Sequence, residues 1–116
     1  MIAFAWQFEV RDGKQVEFER LHGADGEWTA LARRSRSYLG SSFLSDVAQP
    51  TRYLLIEYWS EMVVYERHAA DFRDEIASLE KRRDTLVVST QPLGIFEALD
   101  VPDRSGPTWS RRRGRG

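Results

Sequence analysis

The chain contains no cysteine. That excludes disulfides, thiolate chemistry, iron–sulfur clusters and cysteine-based zinc sites together, and gives no hint of secretion. Long apolar runs are missing too. Leu86-Val87-Val88 is typical of the apolar stretches, far short of the roughly 20 residues that cross a bilayer. No charged-then-apolar leader opens the chain, because Met1-Ile2-Ala3-Phe4 runs directly into a strand pattern, so a cytoplasmic location is the expectation. Histidine is scarce, with two in 116 residues. The carboxylates Asp71, Asp74 and Glu75 have no histidine pair at metal-ligand spacing; they read as a solvated helix face beside Arg67 and Arg73, and no metal is expected. A phosphate-binding loop is lacking as well, since Gly23 to Gly26 has neither a preceding strand nor a following Lys-Ser/Thr.

Most of the chain also lacks basic excess. Residues 1–100 carry 12 basic and 17 acidic side chains, whereas residues 101–116 carry five arginines and one aspartate. Only the tail could hold phosphates, in a salt-sensitive and non-specific way. Trp109 is its one aromatic platform for a base. A flexible, solvated basic tail is therefore expected, and nucleic acid is not expected as a partner. Arginine outnumbers lysine fifteen to two, which fits the coding bias of a GC-rich bacterium.

What is present describes one small domain over residues 1–100. A chain this short buries a modest core, so a second copy would help to cover its apolar surface. Ile2, Phe4, Trp6, Phe8 and Val10 alternate with smaller or polar residues, the period of a strand, and Asp12-Gly13 turns the chain. From Lys14 the period lengthens to that of a helix, interrupted by Gly23-Ala24-Asp25-Gly26, with Asp25 as cap for the second piece. Tyr38 to Val47 reads as a strand with Leu39, Phe43 and Val47 as its larger apolar residues. Arg52 to Trp59 follows after a connection too short for a helix, so the two lie antiparallel. Ser60 then caps a helix whose stripe is Tyr65, His68, Phe72, Ile76 and Leu79, running to about Asp84 with a kink near Ala69-Ala70. Thr85 to Leu99 is the last strand, with Pro92 and Gly94 marking a bulge or bend.

The order is strand, broken helix, strand, strand, helix, strand. It predicts an α+β, ferredoxin-like fold, a four-stranded antiparallel sheet with both helices on one face. Something must cover the other face, and a second copy is the simplest candidate.

Phe4-Ala5-Trp6, Gly26-Glu27-Trp28, Tyr38-Leu39-Gly40, Tyr58-Trp59-Ser60-Glu61 and Gly94-Ile95-Phe96-Glu97 occur in sequence. In that order and spacing the chain resembles the antibiotic biosynthesis monooxygenase family of dimeric α+β barrels over about residues 2–99. The resemblance implies a homodimer whose sheets face each other, with a pocket in each subunit between helices and sheet. Its cofactor-independent quinone-forming oxygenases use a pocket Trp and Tyr to orient a polycyclic phenol that itself supplies electrons to oxygen. Trp59 and Tyr65 match by position; the pocket Asn has no counterpart, and an arginine partner could be Arg82 or Arg83. The haem-degrading branch pairs a helix His with a Trp and a first-strand Asn. Here His68 falls near the Trp position and Trp6 or Gln7 replaces the Asn, so that triad is absent.

The candidate catalytic residues are therefore His68, Trp59 and Tyr65. His68 could accept a phenolic proton, or it is a histidine at the core edge bonded to backbone. Trp59 and Tyr65 are pocket residues or core aromatics closing one end of the sheet. Trp6, Trp28 and Phe72 are the candidate substrate-binding residues, with core packing as the other reading. His22 beside Gly23 reads as a helix-end cation or a pocket lip. The implied function is a cofactor-independent monooxygenase acting on a phenolic polycyclic or quinol-type small molecule. The alternative is a non-catalytic dimer that binds a hydrophobic metabolite in the same pocket.

Overall fold

In the computed structural model, which describes residues 1–100, the alternating opening segment is strand β1 (Ile2–Val10). It is followed by helices α1 (Gln15–His22) and α2 (Glu27–Ala32), and strands β2 (Tyr38–Ser45) and β3 (Arg52–Trp59). Helices α3 (Met62–Asp71) and α4 (Arg73–Asp84) and strand β4 (Val87–Glu97) complete the order. The sheet runs β2-β3-β1-β4 with every neighbouring pair antiparallel. The helices pack on one face, so the α+β ferredoxin-like arrangement read from the sequence is the one the chain adopts. The basic tail lies outside the described residues.

Period-two burial explains which side chains meet the helices. On β3, Tyr53, Leu55, Glu57 and Trp59 are buried while Leu54, Ile56 and Tyr58 are half-exposed. The helix-facing core joins Phe8, Val10, Phe18, Leu21, Tyr53, Leu55, Leu79, Leu86 and Val87. A second cluster of Phe4, Ala32 and Trp59, with Tyr38 and Tyr65 packed on it, closes the other end. On the opposite face, Leu54 and Ile56 lie beside Gln7 and Ala5 of β1 and Leu44 and Ser42 of β2, with no helix of the described residues above them. Pro92 and Gly94 do mark a bulge: Ala5 pairs with Gly94 and Trp6 with Pro92, so Leu93 is extra.

Four local expectations are corrected. β2 ends at Ser45, because the Asp46 carboxylate accepts from the backbone N–H groups of Ala48 (2.8 Å) and Gln49 (3.2 Å) and turns the chain. Val47, expected inside the strand, is 100% exposed. Gly26, not Asp25, is the N-cap of α2, and no side chain caps it. A cap with a Cβ would not fit, since one at Gly26 would stand 2.5 Å from the Arg20 carbonyl oxygen. Glu61, not Ser60, precedes α3; the Ser60 hydroxyl is 2.8 Å from that of Ser37, tying the strand end to the start of β2. The helix break falls at Phe72 (φ −113°, ψ 27°), beyond Ala69-Ala70, where the ring lies under the Arg34 guanidinium at 4.6 Å.

Candidate functional site

Between the helix layer and the sheet lies a cavity of about 210 Å³. β1 contributes Trp6, α2 contributes Trp28 and Leu31, β3 contributes Glu57 and Trp59, and β4 contributes Thr90 and Pro92. Tyr65 and His68 reach it from α3; Ile76, Glu80 and Arg83 reach it from α4. Each lining position follows from local periodicity. Glu57 and Trp59 are two apart on one strand face, and Ile76, Glu80 and Arg83 are four and three apart on one helix stripe.

The sequence candidates therefore converge, with one exception. Trp59, Tyr65, His68, Trp6 and Trp28 all line the cavity. Tyr65 stacks on Phe4 with ring centroids 4.0 Å apart and meets Trp59 edge-on at 5.1 Å. Burial, with Glu57 and Glu80 nearby, pushes its phenol up to about 12. Phe72 is not a wall residue. Its ring lies tilted against that of His68, with centroids 4.9 Å apart, where α3 ends and the helix breaks. His68 is buried, and its ring sits 5.0 Å from that of Trp59. Burial lowers its pKa, Asp71 opposes that and Arg34 adds to it. Its Nδ1 has no hydrogen-bond partner among the described residues, so the expected bond to backbone is not made by that atom there.

The two candidate arginines differ in exposure. Arg82 is exposed and pairs with Glu27 at 3.0 Å. Arg83 is buried, lines the cavity and lies over the Trp28 ring at 5.6 Å. His22 is not a helix-end cation. It is 2% exposed among the rings of Phe8, Phe18, Trp28 and Phe43, and burial, with Arg83 nearby, pushes its pKa down to about 3. It lies in the core beside the cavity, not on its wall.

One residue that sequence reasoning passed over dominates the floor of the cavity. Glu57 is 3% exposed. Trp28 donates its indole N–H to one carboxylate oxygen, and Trp59 donates to the other at 3.3 Å. Burial pushes the Glu57 carboxyl above its ordinary range, against those two hydrogen bonds. Its signal was present: a glutamate holds a core-facing position in the alternation Tyr53, Leu55, Glu57, Trp59. Three further polar atoms on wall residues are buried without partners among the described residues: His68 Nδ1, Arg83 Nε and Thr90 Oγ1. Buried polar atoms are normally paired. Aromatic rings, polar side chains and one buried carboxylate thus share this wall. Among the described residues, no three His, Asp or Glu side chains gather as a metal site.

No protein-family model matches the chain, and no curated protein matches it. Solved structures do match. SnoaB, a cofactor-independent oxygenase from Streptomyces nogalater, aligns at 20% identity over 86% of this chain and 94% of its own, with a TM-score of 0.66. A Deinococcus radiodurans protein provisionally assigned as an antibiotic biosynthesis monooxygenase aligns at 17% identity over 89% and 97%, with a TM-score of 0.68. A NIPSNAP family protein from Agrobacterium tumefaciens aligns at 16% identity over 91% and 96%, with a TM-score of 0.61. The chain thus has the fold of the antibiotic biosynthesis monooxygenases that its residues resemble.

Proposed function

We propose that the chain is a cofactor-independent monooxygenase that oxidises a phenolic polycyclic or quinol-type small molecule in this cavity. The observation that carries the reading is the cavity wall itself. Trp6, Trp28, Trp59 and Tyr65 bring aromatic rings to it, and Arg83, His68 and Thr90 bring polar side chains to the same wall. A phenol can reduce oxygen itself once ionised, so the protein need only bind the ring, assist proton removal and exclude water. For an anthrone-type substrate, a methylene carbon becomes a carbonyl. One atom of dioxygen enters that carbonyl, and the other leaves as water with the two hydrogens of the methylene. The positively charged Arg83 is suited to hold the ring oxygen as negative charge develops on it. Trp59 and Tyr65 orient the ring.

The active form in this reading is a homodimer through the helix-free sheet face. Among the described residues, a two-layer domain of this size leaves Leu44 and Phe96 exposed and Leu54 and Ile56 half-exposed, and a second copy would bury them symmetrically.

Oxygen uptake tests the reading. Metal-free protein should consume oxygen with anthrone-type or dihydroquinone substrates faster than buffer does, and form the quinone. A panel of such substrates consumed no faster than without protein overturns it, and ring binding without turnover favours the non-catalytic metabolite-binding dimer instead.

A further inference from the structure

We infer that Glu57 is the proton acceptor of the cavity, its carboxylate held in place by the indole N–H groups of Trp28 and Trp59. This rests on the reading of the cavity as a site for a phenolic ring. In the step assigned to it, the O–H bond of the substrate breaks, the proton moves to a Glu57 carboxylate oxygen, and the electron pair stays on the phenolic oxygen. Dioxygen is the co-reactant that then takes an electron from the ionised ring.

Position comes first. Glu57 is on β3, an interior strand, flanked by Phe4 of β1 and Ser41 of β2. Packing alone would favour an apolar residue there, because a buried charge is costly unless it is paired. Yet Glu57 has no salt bridge among the described residues, whose ion pairs all involve other carboxylates. Its partners are neutral donors, which orient a carboxylate without neutralising it.

Capacity comes next. An ionised carboxylate has two oxygens with about four acceptor sites. Trp28 and Trp59 occupy one on each oxygen, leaving room for a substrate hydroxyl. A base fixed by third groups is the arrangement that proton transfer requires. His68, the base suggested by the sequence, is held by ring packing against Trp59 and Phe72, and its Nδ1 has no orienting partner.

The surroundings favour transfer. Tyr38 of β2, Tyr65 and His68 of α3, and Glu80 and Arg83 of α4 are the titratable or charged groups around Glu57. Glu80 is exposed, so Glu57 is the one buried carboxyl of the wall. Burial makes it a stronger base than a solvated glutamate.

The experiment is steady-state oxygen uptake with an anthrone-type substrate across pH. In the wild type, activity should fall on the acid side as Glu57 becomes protonated. Glu57→Gln should lower kcat by about 10²–10⁴-fold, change KM by no more than about threefold, and abolish the acid limb. Glu57→Ala should regain rate with added formate, a rescue that repaired packing alone would not give. Should Glu57→Gln fail to fold, Glu57→Asp decides, because it keeps a carboxylate and should keep a displaced acid limb. A folded Glu57→Gln with wild-type rate and pH profile overturns the assignment. So does an acid limb unmoved by Glu57→Asp and removed by His68→Gln. In either case the oxygenase reading survives. A wild type that consumes no oxygen with any substrate removes that reading, and this assignment with it.

Discussion

Trp28 on helix α2 donates its indole N–H to Glu57 on strand β3, 29 residues later in the chain. One hydrogen bond thereby ties the helix layer to the sheet across the edge of the cavity. Trp28→Phe keeps most of the ring and removes the donor. Its expected cost is about 1.5–3 kcal/mol, the range for a hydrogen bond to a charged group, read from urea unfolding. Trp59→Phe removes the longer bond, 3.3 Å, and should cost less in hydrogen bonding. A double-mutant cycle of Trp28→Phe with Glu57→Gln that finds no coupling would show that Trp28 does not brace the layers.

His22 gives the stability a pH dependence whose sign follows from its surroundings. Its pKa is lowered to about 3 in the folded chain, against about 6.5 when unfolded. Between those values the unfolded chain binds the extra proton, so stability rises with pH across this window and is lost on acidification. The slope due to this residue is about 1.4 kcal/mol per pH unit. His22→Phe should flatten that limb in melts between pH 4 and pH 6, on the order of the window above. It should cost little at pH 8, since both ring nitrogens are unpartnered already. A limb as steep in the variant as in the wild type would assign the acid sensitivity elsewhere.

The strands were legible because period two is written plainly in Ile2 to Val10 and Arg52 to Trp59. Caps and strand ends were less so. They depend on close contacts, such as the Asp46 turn and the backbone approach at Gly26, that no pattern of apolar residues announces. Five of the six candidate residues line one cavity, three of them because Trp59, Tyr65 and His68 follow one strand end into one helix face. Phe72 does not line it, because its stripe continues in the sequence while the helix itself breaks there. Glu57 was passed over because a single acid in an apolar alternation has no partner in the sequence; its two indole donors converge only after folding.

Gly26 should be intolerant of any side chain. A Cβ there would lie against the carbonyl oxygens of Arg20, at 2.5 Å, and Leu21. Both are backbone atoms and cannot swing aside. Gly26→Ala is expected to destabilise by about 2 kcal/mol or more and to push α2, with Trp28, away from Glu57. Ligand affinity should fall together with the melting temperature. Gly13 is the control: a Cβ there meets nothing within 4 Å, though its φ of 83° still strains alanine. Gly13→Ala should lower the melting temperature without weakening the ligand. Equal binding losses in the two variants would detach α2 from the site.

The helix-free sheet face supplies the last expectation. Leu44 and Phe96 are each 50% exposed there, and Leu54 and Ile56 lie between them on the interior strand β3. Four apolar side chains on one sheet face, two of them half in water, are costly to leave unpartnered. An obligate pair would bury roughly 2,000 Å² or more in total. Sedimentation at micromolar concentration should therefore give twice the 13.5 kDa chain mass. Ile56→Asp places a charge opposite Ala5 and Ser42, at the middle of the sheet. Dimerisation would strip that charge of water with no cation to meet it. The variant should sediment as a monomer at the same concentration, with its helix content kept, because Ile56 does not belong to the helix-side core. Val47→Asp, in the exposed turn after β2, should leave the dimer intact. A wild type that sediments at the mass of one chain would count decisively against the paired sheets.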